Sequence, residues 1–297
     1  MKVNSLNAQF VFDSKAVLGE GPVWDFINQR LFWLDIEGRK LHCHTPLSKE
    51  NEHWNFDEMI GAISITTEGS LLMAMESGIA LFSLQTKELK YLNVLKNTDA
   101  KMRFNDGKCD PNGNFWIGTM HKEFLPGSGN LYKLDRFLKS SLQIANTTIS
   151  NGMAWSCNGA KYYYIDSPTF EVAVYDFDSV RNEITNRKTL FKIPPSYGSP
   201  DGMTIDDEGM LWIAHWGGAC VRRWNPLDGK VIQEIAVDAP HVTSCCFGGK
   251  DFNMLYITTA RSGLGEDELK SAPLSGGLFC VKTNATGKAV SLFRSKV

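Results

Sequence analysis

Asp201-Gly202-Met203-Thr204-Ile205-Asp206-Asp207-Glu208-Gly209-Met210-Leu211-Trp212-Ile213-Ala214 holds one structural unit. It opens on a polar residue and a glycine, and three residues later reaches Asp206. The Asp207-Glu208-Gly209 stretch reads as a tight turn, because its glycine supplies a positive φ. The run 211–214 is continuously apolar, as suits a strand packed on both faces. The same order recurs along the chain. Openings of this kind stand at Glu20-Gly21, Ile60-Gly61, Asp106-Gly107 and Asn151-Gly152, and Thr243-Ser244 echoes them without the glycine. Apolar or aromatic runs follow at 31–34, 71–74, 115–118, 162–165 and 255–258. The six openings, at positions 20, 60, 106, 151, 201 and 243, repeat at the spacing of propeller blades. The fold class this implies is all-β, a six-bladed β-propeller with a central metal site.

Blades cannot bury their faces alone, so the repeat predicts a single propeller domain over 1–297. A third strand per blade is legible at 80–84, 130–134, 173–177 and 277–281. Residues 8–17 read as a strand that completes the last blade and removes an open edge. His42 and His44 alternate late in their unit, far from the axis, and are expected to face solvent. Two stretches lengthen the repeat, 120–129 and 261–276. The first follows a strand near the axis and would form a lid.

Composition narrows the function. The 297 residues are 43% hydrophobic and 22% charged, with a net charge of −2. That balance suits an ordinary soluble protein and gives no electrostatic footprint for nucleic acid or an anionic membrane. No run of 18 apolar residues suggests a membrane span, and Met1 to Asn7 lacks the apolar core of a signal peptide. Seven cysteines without a C-x-x-C pair read as reduced, mostly buried thiols of a cytoplasmic protein. The common nucleophile, zinc-protease and phosphate-loop motifs are absent. Nothing in the sequence sets the oligomeric state.

The chemistry lies at the openings. Equivalent positions of all blades point at one channel. Glu20, Asn151 and Asp201 would therefore converge as two carboxylates and an amide carbonyl. Any one of them alone would be explained by turn chemistry; three at equivalent positions point to a ligand set. They are hard donors for one divalent metal ion, with Ca2+ favoured and Mg2+, Mn2+ or Zn2+ compatible. Three protein ligands leave open positions for water and substrate. Arg103, Asn105 and Asp106 bring a guanidinium, an amide and a carboxylate to the same ring, suited to polyol hydroxyls and a carbonyl oxygen. Glu123, in the lid, would cover the ligand. His215 ends the run of the fifth unit and reads as structural.

Five segments together resemble the SMP-30/gluconolactonase family of regucalcin-like six-bladed propellers. They are Leu18-Gly19-Glu20-Gly21-Pro22-Val23-Trp24, the stretch from Arg103 to Pro111, Phe115-Trp116-Ile117-Gly118-Thr119-Met120, Ser150-Asn151-Gly152-Met153-Ala154-Trp155 and Ser199-Pro200-Asp201-Gly202-Met203. The resemblance implies a central divalent ion on Glu20, Asn151 and Asp201. It implies substrate contacts at Arg103, Asn105 and Glu123, with Asp106 a lesser candidate. It implies hydrolysis of a small-molecule sugar lactone. Asp201 is then the best placed general base, because it can both touch the metal and reach the attacking water. A calcium-binding regulatory protein without turnover, a propeller esterase and a protein-interaction platform are the alternatives. The third is the least suited to acidic and amide groups aimed at the axis.

Overall fold

The computed structural model describes residues 4–294; Met1 to Val3 and the last three residues lie outside the described residues. Six sheets form the six blades expected. Their innermost strands are Gly19–Asp25, Ile60–Ile65, Met102–Cys109, Ser150–Trp155, Ser199–Ile205 and Val242–Gly248. Each packs against the inner strand of the next blade, and the sixth returns to the first, so the ring is closed. The apolar runs are the second strands, and in all six, residues such as Phe32, Leu72, Trp116, Ile165, Ile213 and Ile257 have no exposed surface. Between blades, aromatic rings carry much of the packing: Trp24 stacks on Tyr256 with centroids 5.5 Å apart, and Trp212 meets Phe247 edge-on at 5.5 Å.

Each unit turns from inner to second strand in the same way. A residue of positive φ stands in all six turns: Gln29, Gly69, Gly113, Gly159, Gly209 and Phe252. The aspartate that closes the repeat motif fixes this turn. Asp110 accepts the amides of Asn112 and Asn114 and the Trp116 indole. Asp206 accepts the Met210 amide, the Trp212 indole and Arg223. Both carboxylates are fully buried and fully partnered.

The N-terminal stretch does what the sequence suggested, and more. Gln9–Phe12 is the outer strand of blade 6, antiparallel to Leu278–Lys282. Asn4–Asn7 adds a fifth, parallel strand to blade 5. At the seam, the Thr243 hydroxyl donates to the Gly19 carbonyl at 2.5 Å. The other terminus straps the opposite end of the channel: Phe293 is fully buried, and its amide donates to Ile65. His42 and His44 are buried, contrary to expectation. Blades stack face to face, so a third strand is still covered. His42 lies on the Trp33 ring at 4.8 Å, with burial pushing its pKa down to about 4, and His44 bonds to Asn51. All seven cysteines are free thiols and five are buried. Among the described residues no helix is long and apolar enough to cross a membrane.

Two glycines separate conformation from space. Nothing stands within 4 Å of a methyl group added at Gly209, whose φ is +82°. Gly209→Ala should therefore lose only the left-handed penalty, about 1 kcal/mol. A methyl group at Gly202 would stand 2.2 Å from the Ser244 hydroxyl of the next blade. Gly202→Ala should cost roughly 3 kcal/mol through overpacking. Urea unfolding of the two variants checks the order.

Candidate functional site

Every inner strand carries a β-bulge at its opening, between Glu20 and Val23, Ile60 and Ala62, Phe104 and Gly107, Ser150 and Met153, Pro200 and Met203, and Val242 and Ser244. A bulge leaves its extra residue unpaired and re-aims its side chain. In blades 4 and 5 the bulged pairs are Asn151-Gly152 and Asp201-Gly202. In blade 3 they are Asn105-Asp106. Asn105, not Asp106, thus stands level with Asn151 and Asp201, and the motif register read for that blade shifts by one residue. The physical reason is the missing glycine: Asp106 takes the place that glycine holds in the neighbouring blades.

Glu20, Arg103, Asn105, Asp106, Asn151 and Asp201 are all buried around the axis. They are wired together across blades. Arg103 donates through one terminal nitrogen to the Asn105 amide oxygen at 2.6 Å and to the Phe104 carbonyl at 3.0 Å. The Asn105 amide nitrogen donates to the Ser150 carbonyl at 2.9 Å and to Asn151 Oδ1 at 3.2 Å. Asn151 donates to the Ser167 hydroxyl at 2.9 Å. Its carbonyl oxygen is left as an acceptor, and its side chain also hydrogen-bonds Asp201. Ser167 is a positioning residue that no sequence pattern announced.

The electrostatics show what the cluster lacks. Burial pushes Glu20 up to about 8, helped by the charge of Asp106 and opposed by the Gly21 amide and Arg103. Burial, then Glu20 and Asp106, raise Asp201 well above the usual carboxylate range, with Arg103 opposing. Asp106 is raised by burial and drawn back by Lys108. Burial lowers Arg103 while Glu37, Glu20 and Asp201 hold it up. Buried like charges of this kind call for a further cation. Among the described residues no three His, Cys, Asp or Glu side chains are grouped to hold a metal ion. A metal here needs the Asn151 amide oxygen beside Glu20 and Asp201, together with water or substrate. That all-oxygen donor set fits a hard divalent ion.

The remaining predicted residue is placed apart. Arg103 pairs with Met120 in the sheet, so the 120–129 loop does lie at the site's end of the channel. Glu123 itself is exposed, its amide donating to His121 Nδ1. Asp106 faces the other way, into a chamber of about 260 Å3 in the lower channel, which Lys108, Ser64, Ser244 and residues 288–291 also line. Lys108 crosses that chamber to the Met203 carbonyl at 2.6 Å. A lysine in an otherwise uncharged half of an inner strand was the signal for it. His215 is fully buried and held neutral, with its pKa pushed down to about 3 by burial, as suits a structural role.

Comparison with known proteins places this geometry. The SMP-30/Gluconolactonase/LRE-like region matches residues 18–261. The Bacillus subtilis (strain 168) protein named "Putative sugar lactone lactonase YvrE" is 38% identical over 284 residues, covering 95% of this chain and 97% of that protein. Regucalcin of Oryctolagus cuniculus is 33% identical, covering 93% and 94%. The crystal structure of regucalcin from Agrobacterium tumefaciens, described as a calcium-binding protein, superposes with a TM-score of 0.93 at 26% identity over 99% of each chain.

The raised carboxylates set a pH dependence with a definite sign. Glu20 titrates near 8 when folded against an ordinary value of 4.5. Between those values the folded chain holds more protons than the unfolded one. Stability of the ion-free protein therefore falls as pH rises through that window. The urea midpoint should be lower at pH 8 than at pH 5.5, and Glu20→Gln should flatten the difference. A midpoint that rises over this range contradicts the assignment. A divalent ion added near pH 7 should release protons, measurable by calorimetry in buffers of different ionisation enthalpy.

Proposed function

Because the chain belongs to the SMP-30/Gluconolactonase/LRE-like family, we propose that it is a metal-dependent lactonase, opening a sugar aldonolactone such as gluconolactone to the sugar acid. The observation that carries this reading is one buried cluster in which Glu20, Asn151 and Asp201 face the axis beside Arg103 and Asn105. Such a set offers carboxylates and an amide oxygen to a divalent ion, and donors to a polyol. The relative named as a sugar lactone lactonase supports it. We assign one ion, Ca2+ before Zn2+, Mn2+ or Mg2+, to Glu20, Asn151 and Asp201; when bound, it supplies Lewis-acid polarisation of the lactone carbonyl.

The chain's own groups account for the rest. Arg103 keeps further N–H donors beyond the two bonds it makes, and they are free to orient ring hydroxyls. Asn105 fixes the Arg103 fork and the Asn151 amide at once. Asp201 takes a proton from the attacking water at a carboxylate oxygen and returns it to the ring oxygen as the ester C–O bond breaks. Burial and neighbouring carboxylates raise its basicity, as a base working near neutral pH requires. Glu123, exposed on the loop at the same end of the channel, would cover the ligand. The names of the regucalcin relatives favour a second reading, calcium binding without turnover.

A lactone panel separates the two. Hydrolysis of gluconolactone, galactonolactone, xylonolactone and arabinonolactone would be followed in a pH-stat, on ion-stripped protein and with each ion restored. Ion-dependent turnover above the spontaneous rate is expected. Tight ion binding without turnover would move the assignment to the calcium-binding reading or another ester class. Asp201→Ala should lose ion binding and about 10²–10⁴-fold in rate together; an active, ion-free variant would sink the mechanism. Arg103→Ala should raise KM more than it weakens ion binding.

A further inference from the structure

Where the inner strand of blade 6 begins, beside the end of the blade 5 strands that carries Asp201, stands an aromatic pair that the proposed chemistry does not use. Trp216 and His241 stack with centroids 4.0 Å apart and planes 15° from parallel. Trp216 ends the second strand of blade 5, opposite Ser199, two residues before Asp201. His241 immediately precedes the inner strand of blade 6, and a backbone bridge joins the two residues. The Trp216 ring packs against the buried cluster that holds Leu18 and Ala260, and Leu18 lies two residues before Glu20. The pair therefore spans blade 6, whose axial Thr243 is engaged by the Gly19 carbonyl and Thr258. Arg103 and Asn105 come from blade 3, across the ring.

The wall is rigid. His241 Nδ1 meets the Ser262 carbonyl at 2.9 Å. A carbonyl only accepts, so Nδ1 carries the proton and the ring plane is fixed. Gly263 lies against the edges of both rings and carries no side chain to cover them. Trp216 stays partly exposed at the rim. A partly exposed tryptophan held flat suits a ligand with an apolar face.

We propose that Trp216, held by His241, is the specificity wall of the site, stacking on the C–H face of a closed sugar ring while Arg103 and Asn105 take its hydroxyls from the other side. The proposal rests on the sugar-lactone reading of the site. It adds a direction: a closed lactone ring offers a flat C–H face and the open-chain acid does not. The wall thus favours the substrate over the product.

The test uses three variants and two ligands that need no turnover, methyl glucoside as a closed ring and gluconate as an open chain. Trp216→Leu should weaken methyl glucoside about tenfold, the upper end of an aromatic contact, with gluconate and Ca2+ affinity held. It should raise KM for gluconolactone to a similar extent, more than it lowers kcat. Trp216→Phe should recover most of the loss, and His241→Leu should show a smaller one. In protein carrying 5-fluorotryptophan, the ¹⁹F resonance missing from Trp216→Phe should shift when methyl glucoside binds wild type. That measurement needs no unstable variant. No shift, equal losses for both ligands, or loss of Ca2+ affinity in Trp216→Leu would overturn the wall. Binding of the glucoside without hydrolysis of any lactone would overturn the lactonase reading and leave the wall standing.

Discussion

Six strands meeting around one axis must come closer than side chains allow, and the molecule is organised by how it meets that demand. A methyl group at Gly61 would stand 2.4 Å from the Phe104 carbonyl group, and one at Gly152 2.6 Å from the Asp201 carbonyl oxygen. Glycine at these steps lets neighbouring backbones touch, and in blades 4 and 5 the bulge at the same step turns Asn151 and Asp201 inward. One local device therefore closes the ring and builds the site. Where blade 3 puts Asp106 in the glycine's place, the carboxylate is turned toward the lower chamber and Asn105 takes the axial role. The ring and the ligand set cannot be varied independently.

The site concentrates negative charge where water is scarce. Glu20 and Asp201 are each raised chiefly by burial, and each feels the charge of Asp106. Arg103 above and Lys108 below offset part of this. The amides of Asn105 and Asn151 add oxygen acceptors at two more axial places without adding charge. A third or fourth carboxylate there would titrate to its neutral form rather than hold a cation. The mix of acid and amide is a compromise between affinity for an ion and the stability of the ring without one.

The repeat made most of the architecture legible. Glycine turns, continuous apolar second strands and the x-Gly openings each follow from backbone sterics and local burial, and all three recur. The strand over residues 8–17 was legible because an open edge needs a partner. What escaped depended on partners remote in sequence. Asn4–Asn7 is polar and pairs by backbone alone, so its side chains say nothing of blade 5. Ser167 turns Asn151 from the loop beyond the second strand of blade 4, with no fixed spacing to betray it. His42 and His44 misled because strand position was read as exposure, whereas blade stacking buries both faces. The one-residue shift at Asp106 shows the limit of motif alignment, since only the pairing across the sheet decides which residue is bulged.

Nine residues near the start of the chain, Asn4 to Phe12, belong to two different blades made from its final third. During synthesis they have no partners until the strands over residues 230–282 have been made. Blades 1 to 4 can stack as an open arc in the meantime, each on its predecessor. The edges of Asn4–Asn7 and Gln9–Phe12 stay unpaired throughout that interval. Each strand is only four residues long, and Asn4-Ser5-Leu6-Asn7 is mostly polar, which limits the edge it offers for aggregation. Closure is then a late, long-range event. Long-range pairing of this kind carries a high loop-closure cost, and once made it leaves neither end of the arc free to peel away.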